Sequence, residues 1–221
     1  MGHAEDARQV MIAFEHRLHH ANLIGQTPLH WGRLMSWLYR KITRGGHWSL
    51  WVLTGYGYRP LRLLGWMFGV WLVCAMFYWY AALAGVFAPS SPLVFQNPVY
   101  EVCRPDYVAP VPQGKAVSAV PPTIKGAGNW YLCEKLPEEY TGFSPLAYSL
   151  DVILPFVDLQ QEKDWSPLIP TPKGTWYKEL FILDAPKHCI RLLLWFEILF
   201  GWVASLLLVA VVSGLTKRRE E

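Results

Sequence analysis

LRLLGWMFGVWLVCAMFYWYAALAGVFA, residues 61–88, is the stretch that decides the architecture. It carries no charge from Leu63 onward, and it exceeds the roughly 20 residues an α-helix needs to cross a hydrocarbon core about 30 Å thick. A second stretch of this kind, IRLLLWFEILFGWVASLLLVAVVSGL, fills residues 190–215. Between them, residues 143–159 read FSPLAYSLDVILPFVDL, equally apolar but too short to cross. Two spans flanking a half-span is the layout of a pore domain. The pattern predicts an all-α membrane protein with two transmembrane helices, a re-entrant half-helix and an irregular outer cap.

Working outward, the 221 residues divide into seven segments. Residues 1–60 are expected to form cytoplasmic amphipathic helices, 61–88 the first transmembrane helix and 89–140 an extracytoplasmic Pro-rich cap. Residues 141–161 are the re-entrant helix and loop, and 162–185 an outer connection. Residues 186–216 are the second transmembrane helix and 217–221 a cytoplasmic tail. The two spans leave too little chain for a large soluble core. A net charge of +3 gives no reason to expect nucleic acid as a partner.

Twelve Trp is a high count, and several of them crowd the ends of the first span. Trp31, Trp37, Trp48, Trp51 and Trp66 lie before or at its start, with Tyr78, Trp79 and Tyr80 near its far end, as in the aromatic belts of membrane interfaces. The first 20 residues contain Glu5, Asp6, Glu15 and several His and lack the apolar run of a signal peptide. Arg40, Lys41, Arg44, Arg59 and Arg62 precede the first span, and nothing basic follows until Arg104. The N-terminus is therefore expected on the cytoplasmic side. Lys217, Arg218 and Arg219 place the C-terminus there too, although Lys173, Lys178, Lys187 and Arg191 dilute this second signal. Cys103 and Cys133 then fall in the outer loop, where oxidation is permitted. A disulfide between them and two free thiols are both compatible with the spacing.

Near the N-terminus, Ala7, Val10, Met11, Phe14 and Leu18 predict a short helix over 4–20. His16 and His20 have the i,i+4 spacing of a metal site, but no Asp, Glu or Cys completes a pattern, so a solvated face is expected and no metal or cofactor is implied. Gly25, Thr27 and Pro28 should break this helix. Residues 29–42 follow as an amphipathic helix suited to an anionic membrane surface. Thr54-Gly55-Tyr56-Gly57 resembles a potassium-channel filter in letters alone. No span precedes it, and Arg59 and Arg62 follow at once, so it reads as a turn into Pro60. Gly65 and Gly69 form a G-x-x-x-G that permits close helix approach. The many Pro of 89–140 argue against long regular elements, leaving at most a short strand pair around Cys103 and 130–133.

The half-span begins with an N-cap hydroxyl and a proline, Ser144-Pro145, and stops at Pro155. A helix of about three turns, roughly 15 Å, penetrates half a bilayer. The backbone of 156–161 is then non-helical, which at membrane depth survives only inside protein or beside water. One copy has too few helices to shield it, so an oligomer is expected. A helix C-terminus aimed at an axis favours cations.

Phe143-Ser144-Pro145-Leu146-Ala147-Tyr148-Ser149-Leu150 is similar to the pore-helix opening of two-span potassium-channel-type domains. Trp195-Phe196-Glu197-Ile198-Leu199-Phe200-Gly201-Trp202, running on to 209–215, looks like the inner helix. Asp6-Ala7-Arg8-Gln9-Val10, Gly55-Tyr56-Gly57-Tyr58-Arg59-Pro60 and Leu154-Pro155-Phe156-Val157-Asp158-Leu159 resemble the membrane-embedded C-terminal part of bacterial pentapeptide-repeat membrane proteins. The likeness excludes 89–140, and the repeats themselves are absent. It implies a homotetramer in the bacterial inner membrane and passage of monovalent or divalent cations. The filter glycines are missing, so carbonyl-cage selectivity does not carry over.

If ions pass, side chains must select them. Asp158 is the first candidate, with Glu162 and Asp164 further out, and Pro155 and Phe156 line the same loop. Asp158 reads equally as the cap of a turn. Asp151 and Glu197 are ionisable groups in apolar segments and should face protein or water. Glu197 either hydrogen-bonds the re-entrant helix region or contributes to a vestibule, or it is a buried, partly protonated side chain bonded to a backbone donor. Gly201 and Ser205 permit close approach or bending in the second span. No G-x-S-x-G, Walker or dinucleotide motif occurs, and His188 stands alone, so an enzyme is not expected. The reading is a channel-like oligomer, with a non-conducting membrane scaffold or sensor as the alternative.

Overall fold

The computed structural model describes residues 3–21, 32–107, 125–137, 140–168 and 186–213. The expected break at Gly25–Pro28, the centre of the Pro-rich cap, Lys173, Lys178 and the basic tail lie outside them. Among the described residues two helices are long and apolar enough to cross a membrane: α3, Pro60–Leu83, and the last helix, α7, Pro186–Val212, whose apolar window is Cys189–Val212. Only 28% and 22% of their apolar windows are buried, so most of each surface has no protein against it.

The chain forms two compact units. The first comprises Met1–Phe68 and Ala204–Glu221. In it α1, His3–His20, lies against α2, Arg33–Thr54. Glu15 and His47 meet at 3.3 Å and the His16 and Trp51 rings at 5.4 Å. Helix α2 is longer than the expected 29–42, because it continues through Gly45 and Gly46. Glycine costs a helix about 1 kcal/mol relative to alanine. The helix stops where the chain turns left-handed, with φ of +56°, +58° and +86° at Gly55, Tyr56 and Gly57. Thr54 ties the turn. Its hydroxyl donates to the Leu50 carbonyl at 2.8 Å and accepts from Gly57 N–H at 3.1 Å. The filter-like letters thus form the turn that delivers the chain to Pro60.

The second unit is Gly69–Val203. Here α3 ends at Leu83, earlier than the expected 88. Gly85 adopts φ +71°, and its N–H and that of Val86 close back on Ala82 and Ala81 at 3.0 and 2.9 Å. The Asn129 amide donates to the Ala82 carbonyl as well and to one more, that of Leu83, each at 3.0 Å. Released from the helix, Phe87–Pro89 forms β1. It pairs antiparallel with β2, Trp165–Pro167, with Ala88 opposite Ser166. This three-residue ribbon is the strand pair of the described chain.

The strands expected around Cys103 and 130–133 are replaced by other structure. Pro98–Cys103 is a 3-10 helix capped by Asn97, and 126–132 are turns with Gly126 and Gly128 at φ +77° and +80°. Prolines and left-handed glycines both oppose an extended ladder. A disulfide joins Cys103 to Cys133, with Cα atoms 5.6 Å apart. A short helix α4, Pro92–Phe95, precedes this region.

Helix α5, Pro145–Ile153, starts at the expected cap: Ser144 Oγ accepts from Ala147 N–H. It ends before Pro155, and a short helix not expected from the sequence, α6, Gln161–Asp164, follows the loop and takes in Gln161, the last residue of the stretch expected to be non-helical. The core of this unit is aromatic. Phe87 packs on Phe143 and Tyr148 at 4.5 and 5.2 Å, and Tyr78 meets Tyr148 edge-on at 5.0 Å. Such pairs contribute about 1 kcal/mol each beyond their burial.

Candidate functional site

Helix α5 is held by both long helices. Trp71 of α3 donates its indole N–H to the Leu146 carbonyl at 2.9 Å. Gly201 of α7 sits so close to the Ile153 carbonyl that a Cβ there would collide with backbone. The close approach expected of Gly201 is therefore to the end of α5. By contrast, a Cβ at Gly65 or Gly69 would meet nothing within 4 Å.

Glu197 is completely buried between these elements. Tyr78 Oη donates to one carboxyl oxygen at 2.6 Å, and Ser149 Oγ bonds the other. Ser149 Oγ also reaches the Trp71 carbonyl at 3.0 Å. One residue from each of α3, α5 and α7 thus closes a polar node inside an apolar core. Burial of this kind is tolerated because every oxygen has a partner. The expected bond to the 143–159 segment is present, through Ser149, and the donors to Glu197 are side-chain hydroxyls in place of the backbone donor of the other reading. Tyr78 and Ser149 escaped the sequence reading. The signal was present, since a Glu within an apolar span needs donors and few polar side chains in these segments can supply them.

Asp151 is likewise occupied. One of its oxygens accepts from Leu159 N–H at 2.7 Å and the other from Glu162 N–H at 3.0 Å. It is 8% exposed and holds the two ends of the loop 154–160. The second bond also covers an N-terminal amide of α6, which would otherwise lack a partner. Gln161, buried at the start of α6, fastens the loop from the other side. Its carbonyl oxygen accepts from Ser144 N–H at 3.0 Å, and its amide donates to the Gly142 carbonyl at 3.3 Å.

The loop presents its own side chains outward. Asp158 accepts from Gln160 N–H at 3.0 Å, which supports the left-handed φ of +61° at Gln160. The turn-capping role of Asp158 is thus present. The carboxylate is also ion-paired with Lys163. That bond, and then the Gln160 amide, hold Asp158 below the ordinary carboxylate range. Glu162 is pushed the other way, by partial desolvation and then by the charges of Asp151 and Asp158. Asp151, Asp158, Glu162 and Lys163 line a cavity of about 360 Å³ with Leu154, Pro155 and Trp202. Phe156 is 74% exposed and forms a T-shaped pair with Trp202, with ring centroids 6.0 Å apart.

Asp158, Glu162, Asp151 and Pro155 are therefore brought together. Glu197 belongs to the separate buried node, and Phe156 faces away from the protein. Asp164 contributes its backbone carbonyl, which accepts from the Tyr140 hydroxyl. Among the described residues no group of three His, Cys, Asp or Glu could hold a metal. The chain matches no family model, no curated protein and no solved structure.

Proposed function

We propose that the chain is a channel-like, homo-oligomeric membrane protein whose re-entrant segment is α5 with the loop 154–160. The supporting observation is the loop itself. Asp151 and Gln161 fix its backbone at both ends, yet it exposes Phe156, Val157 and Leu159. A rigid loop with an apolar outer face fits burial against neighbouring copies around an axis. The likeness to two-span pore domains makes four copies the expected number. The same likeness places the protein in a bacterial inner membrane, with both ends on the cytoplasmic side by the charge asymmetry.

Cation permeation would rest on side chains. Asp158 and Glu162 outnumber Lys163 at the cavity mouth, giving each copy a net negative rim that an oligomer multiplies. Asp151 and Glu197 are not available for this role, because their oxygens are engaged internally. The second reading, a non-conducting scaffold or sensor, is favoured by one observation: the bulky Phe156 at the loop tip could plug an axis.

Reconstitution into planar bilayers separates the two. The pore reading expects a cation-selective current whose selectivity weakens in Asp158→Asn and Glu162→Gln. A wild-type protein silent at all voltages and tensions, and silent still in Phe156→Ala, rejects the pore and leaves the scaffold.

A further inference from the structure

The first compact unit contains a cavity of about 640 Å³ that conduction does not use. It is lined by Gln9, His16 and Arg17 of α1, Trp51 of α2, and Arg59 and Arg62 at the start of α3. We infer that this cavity binds a phosphate-bearing anion. The reading does not depend on whether the protein conducts.

Three arginines line one concavity for a local reason. The left-handed turn at 55–57 folds the chain back, and Arg59 crosses Gly55, where an added Cβ would lie 3.7 Å from its side chain. Arg59 and Arg62 are three residues apart and share a face. Arg62 lies over the Trp51 ring, 5.8 Å from its centroid. Arg17 approaches from α1. Among the described residues no carboxylate is paired with any of the three. Glu15, next to His16, is engaged by His47 at 3.3 Å.

Like charges gathered around a hollow repel one another, and an anion relieves that repulsion. The N-terminal end of α3, a 24-residue helix, adds a partial positive charge at the same place. Forked guanidinium donors match phosphate oxygens in pairs. Leu34, Trp37, Ile42 and Trp48 of α2 are all exposed, as in a helix lying at a lipid surface. That makes a lipid headgroup the expected source of the phosphate, with free phosphate as the other.

The test uses the full chain in a neutral detergent. Calorimetric titration with short-chain phosphatidylglycerol should give saturable binding. Arg59→Gln, Arg62→Gln and Arg17→Gln should each weaken it about tenfold, while Lys125→Gln, remote in sequence, should leave it unchanged. Displacement of the lipid by equimolar inorganic phosphate would assign the site to the free anion. Displacement only at large excess would assign it to the headgroup. The three arginines are exposed, and circular dichroism checks that each variant folds. Binding that is absent, or that stays at the wild-type affinity in all three arginine variants, overturns the inference.

Discussion

The buried node at Glu197 and the open rim at Asp158 are built from the same chemistry and reach opposite ends. At the node a carboxyl from α7 is enclosed and bonded by Tyr78 and Ser149. At the rim a carboxyl on a loop caps one turn, pairs with one exposed lysine and otherwise meets open space. Both positions stand out in the sequence for the same reason, a charge beside apolar residues. Only the environment separates them. A fully enclosed carboxyl has its partners chosen by packing and acts on the fold, whereas an exposed one can still exchange partners, as recognition of a passing ion requires.

The sharpest way to break this contrast is at the node. Glu197→Ala leaves the Tyr78 hydroxyl unpaired, takes from Ser149 one of its two acceptors and opens a cavity, for a loss of about 4 kcal/mol. Glu197→Gln keeps the shape and an acceptor and should cost under about 1.5 kcal/mol. Thermal unfolding in detergent, followed by circular dichroism, reads the difference. Equal losses in the two variants would mean that the charge matters and that the node is more than a packing device.

Asp151 tests the boundary between the two regions, being buried like Glu197 but bonded to the rim. Asp151→Ala removes both acceptors that hold loop 154–160, at about 2 kcal/mol. The effect should be local. Hydrogen exchange at Leu159 and Glu162 should accelerate while the core of α3 stays protected. Uniform acceleration along the chain would make Asp151 a general stability element, and no acceleration would remove its role as loop anchor.

Much of this frame is legible in the residues. The long apolar runs locate α3 and α7, and Ser144-Pro145 with Pro155 brackets α5. What stays hidden depends on partners distant in sequence. Asn129 closing the end of α3 lies about 46 residues away, and local periodicity carries no trace of it. The strand pair joins residues 87–89 to 165–167, with no hairpin turn to announce it. The sequence leaves the roles of Asp151 and Glu197 open for a related reason. A charge in an apolar stretch signals that a partner exists, without saying whether the partner is the protein itself.

The smallest effect expected lies at the rim, where the order of titration carries the argument. Glu162 is held above its ordinary 4.5, so the folded chain keeps its proton more tightly than the unfolded one. Ionising it therefore costs stability, a cost absent below the unfolded value and complete above the raised one. Asp158, held below its ordinary 3.8 by Lys163 and the Gln160 amide, does the reverse. Its favourable contribution is present above the unfolded value and fades as pH falls through the folded one. On acidification the rim should lose the Glu162 charge first and the Asp158 charge last, as followed by carboxyl carbon chemical shifts. Lys163→Gln should raise both, Asp158 more than Glu162, because Lys163 is the largest influence on Asp158 and the smallest on Glu162, so the gap between them narrows. If the carboxyls titrate together, or ignore Lys163, they are independent surface groups. The rim would then lack the coupled charge that distinguishes it from any exposed loop, and the case for ion selection there would fall with it.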